Sequence, residues 1–251
     1  MLFKIVLEDR LMRINVTKTF LVLFALLICA SIHAQIKGTM IDSRDGQVYK
    51  TVEIANRTWM AQNLNYESTD SLFYKKFIQP ISMLNQFGVL IPDSYCYGDV
   101  LINCEKYGRL YHYDAAMKVC PLGWHLPDTS EYNSLLLHLQ QAAGNDKYKL
   151  YQSLLPGGSS GFDLLYAGFR WPLFSRGQET RSSYSALGMQ TYLLVSDTTQ
   201  ITRKTKSIYQ SRYNTALSLF VNLRKKGYLK IRFIEENSFY LSSVRCTKDK
   251  E

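Results

Sequence analysis

Apolar and polar residues alternate over residues 47–54, with Val48, Val52 and Ile54 in step. A period of two predicts a half-buried strand. Ala55-Asn56-Arg57 then turns the chain and Thr58-Trp59-Met60 starts a second strand, so the pattern opens on a hairpin. Residues 63–93 show no clean period, and a short helix is expected near 81–87 within that excursion. In 110–120, Tyr113, Ala116, Met117 and Cys120 fall at offsets of three, four and seven, the stripe of a helix facing a core. Pro121 and Gly123 stop it, and 124–127 forms a short extended link. A second helix is expected from Asp128 or Thr129 to about Gln141, with Tyr132, Leu135, Leu136 and Leu139 on its inner face.

Residues 156–161 form a glycine-rich loop, after which the pattern turns to strands. Phe162, Leu164 and Tyr166 alternate, as do Tyr192, Leu194 and Ser196. Residues 216–223 and 228–234 are two further candidates, and 238–246 is the last, with alternate residues on opposite sides. Hairpin, two helices, then strands defines an α+β domain around a mainly antiparallel sheet.

The N-terminal segment carries a different signal. Arg13 and Lys18 precede an apolar run over 20–30, and Ala34 places a small residue before Gln35. That order is the secretory pattern, and a run of about 11 residues falls short of the roughly 20 that span a bilayer. Residues 1–34 are therefore expected to be a signal peptide starting at Met12, since Glu8 and Asp9 do not suit a signal's basic start. Cys29 after Leu26-Leu27-Ile28 offers a lipoprotein alternative, which the bulky Ile28 disfavours. Residues 35–251 are expected to form a single domain with its core at about 38–248, and no second apolar run of membrane length follows. The expected location is extracytoplasmic: secreted, at the cell surface or periplasmic.

Export changes how the cysteines read. Cys96, Cys104, Cys120 and Cys246 are an even set in an exported chain, which predicts two disulfides among three open connectivities. No CxxC pair or nearby histidine cluster points to zinc. Charge is uneven as well. Residues 35–169 carry 11 basic and 13 acidic side chains, whereas 170–232 carry 12 and 2, so the net +9 resides in one stretch around Arg203, Lys206 and Arg224-Lys225-Lys226. Such a field draws anionic partners, and export makes nucleic acid the poorest of these.

Residues 52–66, centred on Trp59-Met60-Ala61-Gln62-Asn63-Leu64, resemble the opening of the Fibrobacter succinogenes major paralogous (FISUMP) domain. Tyr95-Cys96-Tyr97, residues 103–111, Cys120-Pro121-Leu122-Gly123-Trp124-His125-Leu126-Pro127 and Ser243-Val244-Arg245-Cys246 follow in the family's order. Residues 170–230 depart most, because the tryptophan-serine-serine strand expected of the family is not evident there. More distantly, the same residues resemble C-type-lectin-like and formylglycine-generating-enzyme-type domains. The resemblance implies a disulfide-stapled C-type-lectin-like fold in which Cys120 pairs with Cys246, leaving Cys96 with Cys104.

The chemistry expected on this scaffold is binding rather than catalysis. The Glu-Pro-Asn or Gln-Pro-Asp and Trp-Asn-Asp motifs of calcium-dependent lectins are missing, and 162–232 offers only Asp163, Glu179 and Asp197 as carboxylates, so no metal or other cofactor is expected. The redox cysteine pair of formylglycine generation is not expected either, since structural bridges account for all four cysteines. His112, His125 and His138 are too widely spaced for a local metal motif, Asp114 and Glu131 lack an identified partner, and Ser159-Ser160 lacks nucleophile-elbow spacing. Trp59 and Trp124 read as core. In lectin-like folds the long loop before the final strands forms the binding face, which implies residues 168–215 here, with Arg170, Trp171, Arg176, Arg181, Tyr184 and Tyr192 as ligand contacts. The expected function is an exported module that binds a glycan, an anionic one included, or an envelope protein. A structural or assembly role in the cell envelope is the alternative, and an enzyme on the formylglycine-generating-type scaffold ranks third.

Overall fold

The computed structural model describes residues 36–67, 93–175, 178–197, 213–221, 229–237 and 240–250, with backbone alone at 172–175, 178–182, 213–221 and 229–237. The helix expected near 81–87 and the signal segment lie outside the described residues. Those from Lys37 onward belong to one compact unit.

Strands β1 (Lys37–Ile41), β2 (Val48–Ile54) and β3 (Arg57–Met60) form an antiparallel meander. Between β2 and β3, Ala55 and Asn56 both take positive φ, 54° and 57°, the backbone of a two-residue hairpin turn. Next come β4 (Ser94–Tyr95), α1 (Leu101–Tyr107), β5 (Leu110–Tyr111), α2 (Tyr113–Ala116) and β6 (Trp124–His125). Helices α3 (Thr129–Ala142) and α4 (Lys147–Leu154) are followed by the hairpin β7 (Phe169–Ser175) and β8 (Gln178–Ser185). The chain ends with β9 (Gln190–Leu194), β10 (Tyr213–Val221), β11 (Leu229–Asn237), β12 (Ser242–Ser243) and β13 (Thr247–Lys248).

Two larger sheets result, in the orders β1-β2-β3-β13-β6 and β11-β10-β9-β12-β5-β4. Among the described residues the strand pairings are antiparallel except β9 with β12, and an isolated parallel bridge joins Gly168 to Thr191. The fold is α+β with mainly antiparallel sheets. The last segment belongs to both sheets: Ser242 and Ser243 lie between β9 and β5, and Thr247 lies between β3 and β6. Residues 241–247 are accordingly buried throughout, in place of the two-sided strand that alternation predicts. A strand central in its sheet and covered on both sides has no solvent face to read.

The strand period sends neighbouring side chains of the first sheet to two separate cores. Val52, Ile54 and Trp59 pack with Tyr132, Leu135 and Leu139 of α3, with Leu150 and Leu154 of α4, and with Phe162. Tyr49 and Met60 pack on the other side with Tyr111, Tyr113, Val119 and Val244. Trp59 lies 5.2 Å from Tyr132 and 6.1 Å from Phe162 between ring centroids, and its Nε1 donates to the Ile54 carbonyl. Val48, expected inward, is 55 % exposed at the start of β2, while Tyr49 and Thr51 on the opposite side of the strand are buried.

Helix α3 follows its sequence signals. Asp128 caps it, accepting from the Glu131 amide at 2.7 Å, while the Glu131 carboxylate accepts from the Asp128 amide at 3.0 Å. This reciprocal pairing satisfies two amides that a helix start leaves open. Asp197 accepts from the Thr129 amide at 2.8 Å and from its hydroxyl.

Among the described residues four α-helices occur, where the pattern there predicts two. The stripe over 110–120 yields only the single turn α2: Leu110 and Tyr111 are taken by pairing with β4 and β12, and Met117 is 45 % exposed. Residues 162–166 are irregular although their pattern reads as a strand. Asp163 takes φ 49°, and the carbonyls of Phe162 and Asp163 accept from the guanidinium of Arg245 rather than from a ladder.

Arg245 has no exposed surface. Its Nε donates to Asn63 Oδ1 at 2.8 Å, its Nη2 to the Asp163 carbonyl at 2.8 Å and its Nη1 to the Phe162 carbonyl, and the group lies 4.4 Å from the Phe162 ring centre. None of these acceptors is a carboxylate, and burial lowers the arginine pKa to about 10. Asn63 also donates to the Tyr107 carbonyl at 2.8 Å. Beside it, Gly108 takes φ 76°, and a Cβ there would sit 2.7 Å from Asn63 Cβ. One contact network thus ties 59–64, 107–109 and 243–246 together.

The disulfides are Cys96–Cys104 and Cys120–Cys246, closing 8 and 126 residues. Among the described residues no helix is long and apolar enough to cross a membrane.

Candidate functional site

Strand alternation divides the expected contact residues. Phe169 and Trp171 leave β7 on one side and Arg170 leaves on the other. On the first side four rings gather. Phe169 lies 4.9 Å from Tyr192, 5.9 Å from Tyr240 and 6.1 Å from Trp171, and Trp171 lies 6.1 Å from Tyr240. Trp171 is 37 % exposed, and the other three are half-buried. The Tyr192 hydroxyl donates to Gln190 Oε1 at 2.6 Å.

The backbone fixes this group. The Arg170 amide donates to the Leu241 carbonyl at 3.1 Å, the Leu241 amide returns at 2.8 Å, and the Gly168 amide donates to Gln190 at 2.9 Å. Gly168 takes φ 66°, and a Cβ there would stand 2.5 Å from the Ser185 carbonyl, so only glycine lets the hairpin start so close. Rings held by β7, by β9 and by Tyr240 beside the Arg170–Leu241 bridge form a partly wet apolar surface, suited to the C–H face of a sugar ring with nearby hydroxyl and amide groups for its polar edge.

Arg170, expected as a ligand contact, is 3 % exposed. Its guanidinium lies 3.8 Å from the Tyr95 ring centre and 5.8 Å from that of Tyr184, its partner across the hairpin. Tyr184 is half-buried, donates to Asp99 at 2.5 Å and packs 5.1 Å from Tyr97. Burial and the Asp99 hydrogen bond push its hydroxyl pKa up. Tyr184 therefore braces the hairpin against 97–99. Arg176 lies outside the described residues, and Arg181 is placed in β8 by its backbone alone. Of the six expected contacts, the structure brings Trp171 and Tyr192 together. It adds Phe169 and Tyr240, which the sequence reading missed; Phe169 was legible as the residue two positions before Trp171.

His112 is buried, with its ring 6.5 Å from that of Tyr95, and its amide donates to the Asp93 carbonyl. Burial, together with the Arg170 charge, lowers its pKa from 6.5 to about 3. Between those values the unfolded chain binds the proton that the folded chain refuses, so stability falls as pH falls. From pH 7 to pH 5 this one group should cost about 2 kcal/mol. Urea denaturation at both pH values should show that His112→Gln loses this part of the pH dependence; an unchanged slope would refute the assignment.

A second polar cluster joins β3, β6, α3 and the C-terminal end. Arg57 Nη2 meets Glu131 Oε1 at 2.7 Å, both Glu131 oxygens lie 3.1 Å from His125 Nε2, and His125 Nδ1 lies 2.5 Å from Asp249 Oδ1. Glu131 thereby has the partner that the sequence did not reveal, and its oxygens also hold the start of α3. No group of three or more His, Cys, Asp or Glu side chains able to hold a metal ion occurs among the described residues.

Fold and site together define a disulfide-bridged α+β domain bearing an aromatic surface at the start of β7. The model of the Fibrobacter succinogenes major domain matches residues 52–248, and this chain belongs to that family. Comparison with the curated proteins and with the solved structures finds no match.

Proposed function

We propose that this chain is an exported, C-type-lectin-like binding module whose ligand is a glycan, held on the cluster of Phe169, Trp171, Tyr192 and Tyr240. The half-exposed rings carry this reading, because isolated exposed aromatics are ordinary whereas a rigid group of four is not. The Cys120–Cys246 bridge, which ties the segment after α2 to the last strands, supports the lectin-like likeness. The basic and apolar N-terminal segment, with two disulfides, supports an extracytoplasmic location. Pairing of Cys96 with Cys104 and of Cys120 with Cys246 speaks against the redox cysteine chemistry of formylglycine-generating enzymes.

A glycan array with the purified chain tests the proposal. Trp171→Ala and Tyr240→Ala should each weaken binding to any retained glycan by about tenfold at an unchanged melting temperature. Wild-type affinity in both variants would refute the placement of the site.

A second reading, a structural or assembly component of the envelope, rests on Val100, Leu101 and Ile102. These are 47 %, 73 % and 61 % exposed within the loop closed by Cys96–Cys104. Three adjacent exposed aliphatic residues on a stapled loop suit docking to another protein. A blank array together with crosslinking through this loop would favour that role.

A further inference from the structure

The aromatic group does not end at β9. In the strand register Tyr192 stands opposite Ser218 of β10, and Ser218 stands opposite Arg232 of β11. The neighbouring row runs from Gln190 to Phe220 to Lys230. Residues in register share a face of the sheet, so the face bearing Gln190 and Tyr192 continues to positions 230 and 232. The rows of opposite parity are Thr191, Leu219, Ile231 and Leu193, Leu217, Phe233. Thr191 and Leu193 are fully buried, whereas Gln190 and Tyr192 are half-buried. Leu194, in step with Tyr192, is buried in the second core, so their face is open only toward its Gln190–Tyr192 end.

One face therefore presents rings at β7 and β9 and, two strands further, a pair of cationic residues. Adjacent strands lie about 4.8 Å apart, so position 232 is about 10 Å from position 192. Residues 170–232 carry 12 basic and 2 acidic side chains, and Glu236 stands on the same face of β11 four residues beyond Arg232.

Resting on the glycan-binding reading above, we infer that the ligand is an acidic oligosaccharide of at least two sugar units. One ring stacks on Trp171, Tyr192 and Tyr240, and the acid group of a neighbouring unit lies over the positions of Lys230 and Arg232. The separation of the two features exceeds one pyranose ring, which sets the minimum length. The charged end sets selectivity for acid over neutral sugar.

Tetragalacturonate and its methyl ester differ in charge while sharing the sugar ring, and calorimetry with the purified chain compares them. The acid should bind about tenfold tighter than the ester, as expected of charge-assisted contacts, and its advantage should shrink as salt is raised. The double variant Lys230→Gln with Arg232→Gln should bind the acid no better than the ester, with ester affinity and melting temperature unchanged. Trp171→Ala should weaken both ligands alike. Equal binding of acid and ester by the native chain, or discrimination surviving in the double variant, would overturn the acidic-ligand inference and leave the glycan-binding reading standing. Binding of neither probe, with a blank glycan array, would overturn both. A sulfated dextran that binds while tetragalacturonate does not would also overturn a site built for sugar acids.

Discussion

Replacing Cys120 and Cys246 together by serine should lower the unfolding free energy by about 5 kcal/mol on the chain-entropy account, against about 2.5 kcal/mol for the Cys96–Cys104 pair. The difference follows from loop length: the two bridges close 126 and 8 residues. The longer bridge also reaches the segment that completes both sheets, since Cys246 lies between Ser243 of β12 and Thr247 of β13 and is fully buried. Serine at that position would bring a hydroxyl into the second core beside Met60, Val119 and Val244. Urea denaturation of the oxidised protein and of the two double-serine variants would rank the contributions. A midpoint unchanged by the 120/246 pair would mean that the bridge constrains nothing the sheets do not already hold.

Arg245→Met should cost about 4 kcal/mol, because it strands the Asn63 side chain and two buried carbonyls that now share one guanidinium. For a domain of this size that corresponds to a melting temperature lower by about 10 °C. Arg245→Lys should recover little, since an ammonium cannot present the planar fork that reaches Asn63 on one side and Phe162 and Asp163 on the other. The reading can be checked from its partner. Asn63→Ala combined with Arg245→Met should cost far less than the sum of the two single changes, as residues sharing one network do. Strict additivity in thermal melts would break up the proposed network.

These two residues also show what was legible beforehand. Cys246 and Arg245 stand in the Ser243-Val244-Arg245-Cys246 motif, and the pairing that the family resemblance implied is the one present. What the motif could not convey was the reason for the arginine, since its acceptors come from residues 63, 162 and 163. The same long-range bonds explain why 162–166 reads as a strand and forms none: backbone carbonyls committed to a guanidinium cannot enter a ladder. Local signals succeeded where local physics decides, as in the turn at Ala55-Asn56 and the cap at Asp128. They failed at 110–120, where pairing with β4 and β12 outweighs a helical stripe, and at α1, whose Leu101 and Ile102 face outward and leave no apolar stripe to read. Helix α4 carried a readable start, because Asp146 accepts from the amides of Tyr148 and Lys149. At the candidate site the expected residues do not share one surface: Trp171 and Tyr192 both pack on Phe169, while Arg170 leaves β7 on the other side. Adjacent residues in a strand cannot share a face, and 168–215, taken as a loop, contains the strands β7, β8 and β9.

The second large sheet cannot be finished before residue 243 has been made, nor the first before residue 248. Until Ser242 and Ser243 slot beside β9 and β5, and Thr247 beside β3 and β6, the strands on the two flanks of each sheet are not joined to one another. A chain of this topology must stay open through nearly all of its synthesis and then close late, through contacts far apart in sequence. Such late closure makes a premature stop near the end as damaging as one near the middle.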